Sequence, residues 1–311
     1  MHDVSTRAGT KSRQDSAIYA SVLAAFLCIA TPAAGAGSHN TDIAVINPAA
    51  IASPIVQNNT AHEIAIEVVS PGNEGLELTA RLSETGGLIE RDISWMLRDD
   101  LGAVVYEGKS SVANISVPPG DYTIEAAYGA AHFSQDLTLL QANHLMVSFV
   151  LDVGGIRILP RLKNIGPAPA GAQSFVYALS GHNRGKLVTI SKVPGEILRV
   201  EAGDYRIESR FAAGNAVAVA DVHVKAGIMT AVEIDHAAGL ARLSYVGAPN
   251  ANVSWQVTDA DGETLAPIEG LSASLVLKPG TYVARAKVGN ESLSANFVIT
   301  EGQARDILLG N

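Results

Sequence analysis

Beyond about residue 60, apolar and polar residues alternate with a period of two, and no sustained 3.6-residue pattern with helix caps appears. Leu76, Leu78, Ala80 and Leu82 alternate with Glu77, Thr79 and Arg81, which predicts a half-buried strand. Ile93, Trp95 and Leu97 then face one way. Tyr122, Ile124 and Ala126 form another such row, Leu137 and Leu139 a third, and Leu145, Val147, Phe149 and Leu151 a fourth. Turn residues stand between the rows: Thr85-Gly86-Gly87, Asp99-Asp100-Leu101-Gly102 and Pro118-Pro119-Gly120. Short strands with turn signals every 8 to 12 residues predict an all-β chain of antiparallel sandwiches.

The pattern comes three times. Pro119-Gly120-Asp121-Tyr122, Ala202-Gly203-Asp204-Tyr205 and Pro279-Gly280-Thr281-Tyr282 each deliver a tyrosine into an alternating strand. Upstream lie Ser94-Trp95, Ser174-Phe175 and Ser254-Trp255, at 27, 30 and 27 residues from the tyrosine. Further upstream, Gly75, Gly155 and Gly239 succeed one another at spacings of 80 and 84. Anchors in fixed order at a period near 80 predict three tandem copies of one module. The tyrosine is expected to fold back on the preceding corner, and Trp95, Phe175 and Trp255 to fill the core opposite it.

These anchors place the modules at residues 74–154, 155–238 and 239–311. Residues 37–73 read as a leader broken by Pro48, Pro54 and Pro71. One strand is expected within it, from Glu63 to Val69, with Ile64, Ile66 and Val68 on one side. Residues 1–36 read as a signal peptide: Arg7, Lys11 and Arg13, an apolar run from Ala17 to Ala30, then Pro32 and Ala34-Gly35-Ala36, with cleavage expected after Ala36. The alternative is an uncleaved N-terminal membrane anchor, because Ala17 to Ala36 is about the minimum length for crossing a bilayer. Leu27 stands before Cys28 where a lipoprotein signal wants a small residue. The expected mature chain therefore has no cysteine, and its modules depend on apolar cores without disulfides.

Composition narrows the function. Hydrophobic residues make up 47% and charged residues 17%, as in a globular protein. The net charge of −9 gives no electrostatic footprint for nucleic acid or for an anionic membrane.

Candidate chemistry is sparse. Asp259-Ala260-Asp261-Gly262-Glu263 resembles the start of a calcium loop but lacks the later ligands, and Asp99-Asp100-Leu101-Gly102 at the same place in module one argues for a hairpin turn. His132, His144, His182, His223 and His236 show no zinc spacing and are assigned to strand surfaces or loops. No nucleophile elbow, phosphate loop or catalytic cysteine is present in the expected mature chain. No catalytic, cofactor or metal residue is therefore assigned, and binding is expected in non-repeated loops such as His182–Lys186.

Val117-Pro118-Pro119-Gly120-Asp121-Tyr122 and Leu277-Lys278-Pro279-Gly280-Thr281-Tyr282, each followed by an alternating strand, resemble the Pro-Gly-x-Tyr signature of carboxypeptidase regulatory-like and collagen-binding B-type modules. Module two departs from it, with Ala202 for proline. The resemblance covers about residues 74–311 and implies a prealbumin-like or immunoglobulin-like sandwich serving as a stalk, spacer or interaction module. The expectation is a non-catalytic periplasmic or extracellular scaffold with a protein or envelope partner and no membrane insertion of the mature chain. An adhesive or ligand-binding module set is the alternative, and an enzyme with an unrecognised site the third reading.

Overall fold

The computed structural model describes residues 61–91, 93–167, 171–265 and 267–310, which form strands and the turns between them. The signal-peptide reading, most of the leader and residues 168–170 lie outside the described residues.

The first sandwich comprises β1 (Ala61–Val68), β2 (Gly75–Arg81), β3 (Ile93–Asp99), β4 (Val104–Ser110), β5 (Ala113–Ser116), β6 (Gly120–Tyr128), β7 (Ala131–Leu139) and β8 (Asn143–Val150). The second has β9 (Val153–Leu162), β10 (Gly166–Pro167), β11 (Ala172–Ala178), β12 (Leu187–Ser191), β13 (Ile197–Glu201), β14 (Gly203–Phe211), β15 (Val217–Val224) and β16 (Met229–His236). The third has β17 (Gly239–Val246), β18 (Val253–Asp259), β19 (Ile268–Glu269), β20 (Ser272–Leu277), β21 (Gly280–Val288), β22 (Glu291–Ile299) and β23 (Ala304–Gly310).

All three share one plan. One sheet orders its strands β4-β3-β6-β7, repeated as β12-β11-β14-β15 and, with β19 at the edge, as β19-β18-β21-β22. The other centres on β2, β9 or β17. On one side of that strand lies β5, β13 or β20, antiparallel to it. On the other lies β8, β16 or β23, which is parallel to it. The alternation of residues did not reveal this parallel pair. It arises because the last strand crosses from the opposite sheet and returns beside the first. In the first sandwich β1, from the stretch read as leader, pairs antiparallel with β8. Ile64 and Ile66 of β1 pack on the core, while Val68 is 81% exposed.

The tyrosine turn works as a corner. The Tyr122 hydroxyl donates to the Pro118 carbonyl at 2.7 Å, Tyr205 to Glu201 at 2.7 Å and Tyr282 to Lys278 at 2.8 Å. Burial and the Glu201 carboxylate push the Tyr205 phenol up to about 12, so it remains a donor. Trp95 and Trp255 are each 1% exposed, and their indole N–H groups donate to the carbonyls of Ser110 and Gly270 at 3.1 and 2.8 Å. The pair Trp95–Ala126 in β3–β6 recurs as Trp255–Ala286 in β18–β21.

The second sandwich departs from the expectation at Phe175. The residue that pairs across β14 in the tryptophan position is Ser174, opposite Ser209, and both serines are buried. Phe175 lies one residue on and so faces outward, because a shift of one residue reverses a side chain's face. His236 is a second correction: it is fully buried, not on a strand surface or loop.

Replacing Trp95 or Trp255 with alanine is expected to cost about 3–5 kcal/mol in a denaturant titration. Phe175→Ala is expected to cost about 1 kcal/mol or less, as for a surface position. Equal losses at all three positions would contradict this register.

Candidate functional site

The displacement of Phe175 builds a surface. On the outer face of β12-β11-β14-β15, Phe175 stands in a row with Ile190, Glu208 and Val219, and Tyr177 in the next row with Leu187, Arg206 and Asp221. Leu187, Ile190, Val217 and Val219 are exposed by 46, 37, 53 and 56%, so an apolar strip lies open to solvent. Charged pairs flank it. The Arg206 guanidinium grips Asp221 with two bonds of 2.8 Å, which hold the Asp221 carboxyl below its ordinary value. Arg210 pairs with Glu208 and lies 5.3 Å over the Phe175 ring. The matching positions of the first sandwich carry Met96 and Arg98, and those of the third Gln256 and Thr258. This outward aromatic pair therefore belongs to the second sandwich alone.

The corresponding face of the first sandwich forms a shallow groove of about 770 Å³. Ser94, Met96, Ala127 and Ser134 line it, with Glu107 and Lys109 on the β4 side and His132 on β7. At one end Arg98 pairs with Glu125 at 3.0 Å.

The residues singled out for chemistry occupy structural positions. One carboxylate oxygen of Asp259 accepts the N–H groups of Asp261 and Glu263, at 3.0 and 2.9 Å. Asp99 does the same for Leu101 and Ala103. Each aspartate closes its own hairpin, which satisfies the carboxylate internally. No group of three or more histidine, cysteine, aspartate and glutamate side chains converges to hold a metal among the described residues. His182 lies 3.6 Å from Glu201 and His223 2.7 Å from Asp204, with both imidazoles exposed.

His236 Nε2 lies 3.0 Å from the Ser209 hydroxyl, and its ring meets Phe211 edge-on at 4.7 Å. The pair has the spacing of a nucleophile and base, but its Nδ1 meets no hydrogen-bond partner and both residues are sealed from solvent. Burial pushes the imidazole down to about 4, opposed by the neighbouring Asp235 carboxylate, so it is neutral near pH 7.

The sandwiches meet through two junctions of one kind. In the first, the turn between β6 and β7 reaches β13: Ala130 N–H donates to the Arg199 carbonyl at 2.8 Å, and Arg199 lies 4.9 Å over the Tyr128 ring. Gly129, at φ +70°, sits so close that an added Cβ would fall 2.5 Å from Arg199 Cβ. In the second, the turn between β14 and β15 reaches the end of β20. Val276 donates to the Ala213 carbonyl at 3.1 Å and accepts from Asn215 N–H at 3.1 Å. A Cβ on Gly214 would lie 1.9 Å from the Val276 oxygen. Asn215 then caps the tyrosine corner: its Oδ1 accepts from Lys278 N–H at 3.0 Å and its Nδ2 lies 3.2 Å from Tyr282 Oη. Leu162, Phe211, Ala238, Leu240 and Val276 form a shared apolar plug, and Lys163 reaches Glu301 at 2.7 Å.

Sequence reasoning missed Tyr177, Arg210, Gly214 and Asn215. Two signals were available: Tyr177 shares Phe175's face by period two, and a glycine follows the tyrosine strand in every module, as Gly129, Gly214 and Gly289.

Residues 245–309, within the third sandwich, match the family model of the Rhizobiales growth-associated tandem repeat domain. No curated protein matches the chain. Among solved structures, the Bacillus anthracis TIE protein is 14% identical with a TM-score of 0.25, over 76% of this chain and 50% of that one. This chain thus spans about half of that protein's length. A streptococcal ancillary pilin is 9% identical with a TM-score of 0.28, over 76% and 99%. The minor pilin of Streptococcus agalactiae is 13% identical with a TM-score of 0.24, over 50% and 93%.

Stability is expected to fall as pH drops from about 6.5 to about 4. In that window the unfolded His236 binds a proton that the folded, buried ring refuses, so the unfolded state gains. The full loss, reached near pH 4, is roughly 3 kcal/mol. His236→Phe should flatten this part of the pH profile in urea titrations, and an unchanged profile would contradict the assignment.

Proposed function

We propose that this chain is a non-catalytic, exported envelope scaffold that holds three sandwiches in fixed succession and presents a protein-binding face. The observation that carries this reading is the pair of junctions, where backbone hydrogen bonds and a bare glycine dock each turn on the next sandwich. A flexible string of domains has no use for such contacts; a spacer that sets a distance requires them. The assignment of the strongest histidine–serine pair to the sealed interior favours a non-catalytic role. The signal-like N-terminus supports export. The name of the matched repeat model ties that repeat to growth in Rhizobiales, and we extend to this chain a part in growth of the bacterial envelope.

Spin labels on Lys109→Cys and Ser292→Cys, in a Cys28→Ser background, should report a narrow distance distribution between the first and third sandwiches. Gly214→Ala should broaden it, because the added methyl cannot fit against the Val276 backbone. A broad distribution in the parent protein would remove the spacer reading.

An adhesive reading is favoured by one observation, the open apolar and aromatic strip around Phe175 and Tyr177. Aromatic side chains with arginine are the residues that dominate binding energy at protein interfaces. The double change Phe175→Ala and Tyr177→Ala is expected to leave the melting transition within a few degrees of the parent and to abolish capture of the envelope partner that the parent protein captures. Unchanged capture would direct attention to the groove over Met96.

A further inference from the structure

We propose that copies of this chain join head to tail, with the β21–β22 turn of one copy seated on the Ser116–Gly120 corner of the next, as an intermolecular version of the junction made twice within the chain. This goes beyond the scaffold reading, which needs only the internal contacts.

Each junction consumes two surfaces. A turn after the sixth or fourteenth strand is the plug, and the corner of the following sandwich is the socket. Three sandwiches supply three plugs and three sockets, and the two junctions use two of each. Among the described residues, the plug of the third sandwich and the socket of the first meet nothing. Gly289, Asn290 and Glu291 are all exposed, and an added Cβ on Gly289 would meet no atom within 4 Å.

This spare plug has the chemistry of a working one. Gly289 stands seven residues after its tyrosine, as Gly129 does, with φ +58° against +70°, and it is followed by asparagine, as Gly214 is. The spare socket is open in the corresponding way. Ser116 stands six residues before its tyrosine, as Arg199 and Val276 do. Ser116 is exposed, whereas Val276 is buried and Arg199 half-buried. Val117 is half-buried, whereas Val200 and Leu277 at its position are wholly buried. A groove of about 480 Å³ lies there, between Pro71, Gly72 and Glu74 on one side and Ser116 to Pro119 on the other. Its wall is braced, because Glu74 accepts the N–H groups of Ala142 and Gly72 at 3.0 and 2.7 Å.

One difference sets the strength. Pro118 occupies the place of Lys278 and has no N–H, so Asn290 cannot accept the bond that Asn215 takes there. Inside the chain, a junction also benefits from tethering, which is equivalent to an effective concentration on the order of millimolar. Association between free copies is therefore weak, and it becomes extensive only where copies are crowded. A plug and a socket are different surfaces, so the contact does not close on itself as a symmetric dimer does.

The test is sedimentation of the full chain from about 10 µM to 1 mM, a range that extends up to this effective concentration. The expected result is a growing series of species beyond the dimer. Gly289→Asn keeps the turn, since asparagine tolerates positive φ, but places a side chain on the docking surface. It should weaken association by about tenfold or more. Gly262→Asn is the control: Gly262 has φ +86°, also has open space around it, and lies in the β18 hairpin. Association retained in this control supports the proposal. A parent protein that stays monomeric overturns it, as does association that stops at a dimer. Equal loss in both variants, or none in Gly289→Asn, overturns it too.

Discussion

One hydrogen bond, from a tyrosine hydroxyl to the carbonyl four residues earlier, sets the geometry of every sandwich. It closes the corner before β6, β14 and β21, and so fixes where each of these strands enters its sheet. The strand's register against β3 or β18 is set in turn, which places Ala126 under Trp95 and Ala286 under Trp255. A small residue opposite the indole gives the ring room, and the indole N–H finds a carbonyl fifteen residues on in both cases. The bond is worth about 1 kcal/mol by itself. Its larger consequence is that the ring stays buried with its polar tip satisfied, so neither desolvation nor an unpaired hydroxyl opposes the core.

The same corner takes the plug of the preceding sandwich. Asn215 bonds the backbone and the phenol of the Tyr282 corner, and Ala130 lines a small cavity with Tyr205. Folding of one sandwich thereby prepares the contact surface for its neighbour. Modules of about 80 residues have thin cores, and such nearest-neighbour contacts are what add stability in tandem arrays.

Much of this was legible in the sequence. The recurrence of Pro-Gly-x-Tyr, the 27-residue spacing to tryptophan and the two-residue alternation are local signals, and local signals survive in any register. The rest depends on which residues stand opposite one another. Phe175 comes after a serine, as Trp95 and Trp255 do, yet the register of β11 on β14 puts Ser174 inward. The wider spacing, 30 residues against 27, was the visible sign that the alignment had slipped. His236 was unreadable for a different cause. It ends an alternating strand, and its ring packs on Phe211 of its own sandwich, which in turn belongs to the apolar plug shared with Ala238 and Leu240. The closest approaches at the junctions rest on backbone groups and on absent side chains at Gly129 and Gly214, which leave no apolar pattern to find.

Loss of the central aromatic reorganises the second sandwich. Its core has no tryptophan, and small buried serines face each other where the indole would be. Ring volume is supplied instead by Phe211 and His236 at the boundary with the third sandwich. Part of this sandwich's core is therefore shared with its neighbour. The outer face is relieved of any packing duty: Phe175 and Tyr177 stand at the surface, beside arginines that are themselves paired to carboxylates. Surface aromatics over an ordered charge lattice lose little side-chain freedom when another surface covers them, which lowers the cost of binding. The sandwich braced hardest by its neighbours is thus also the one whose surface is best prepared to hold a partner.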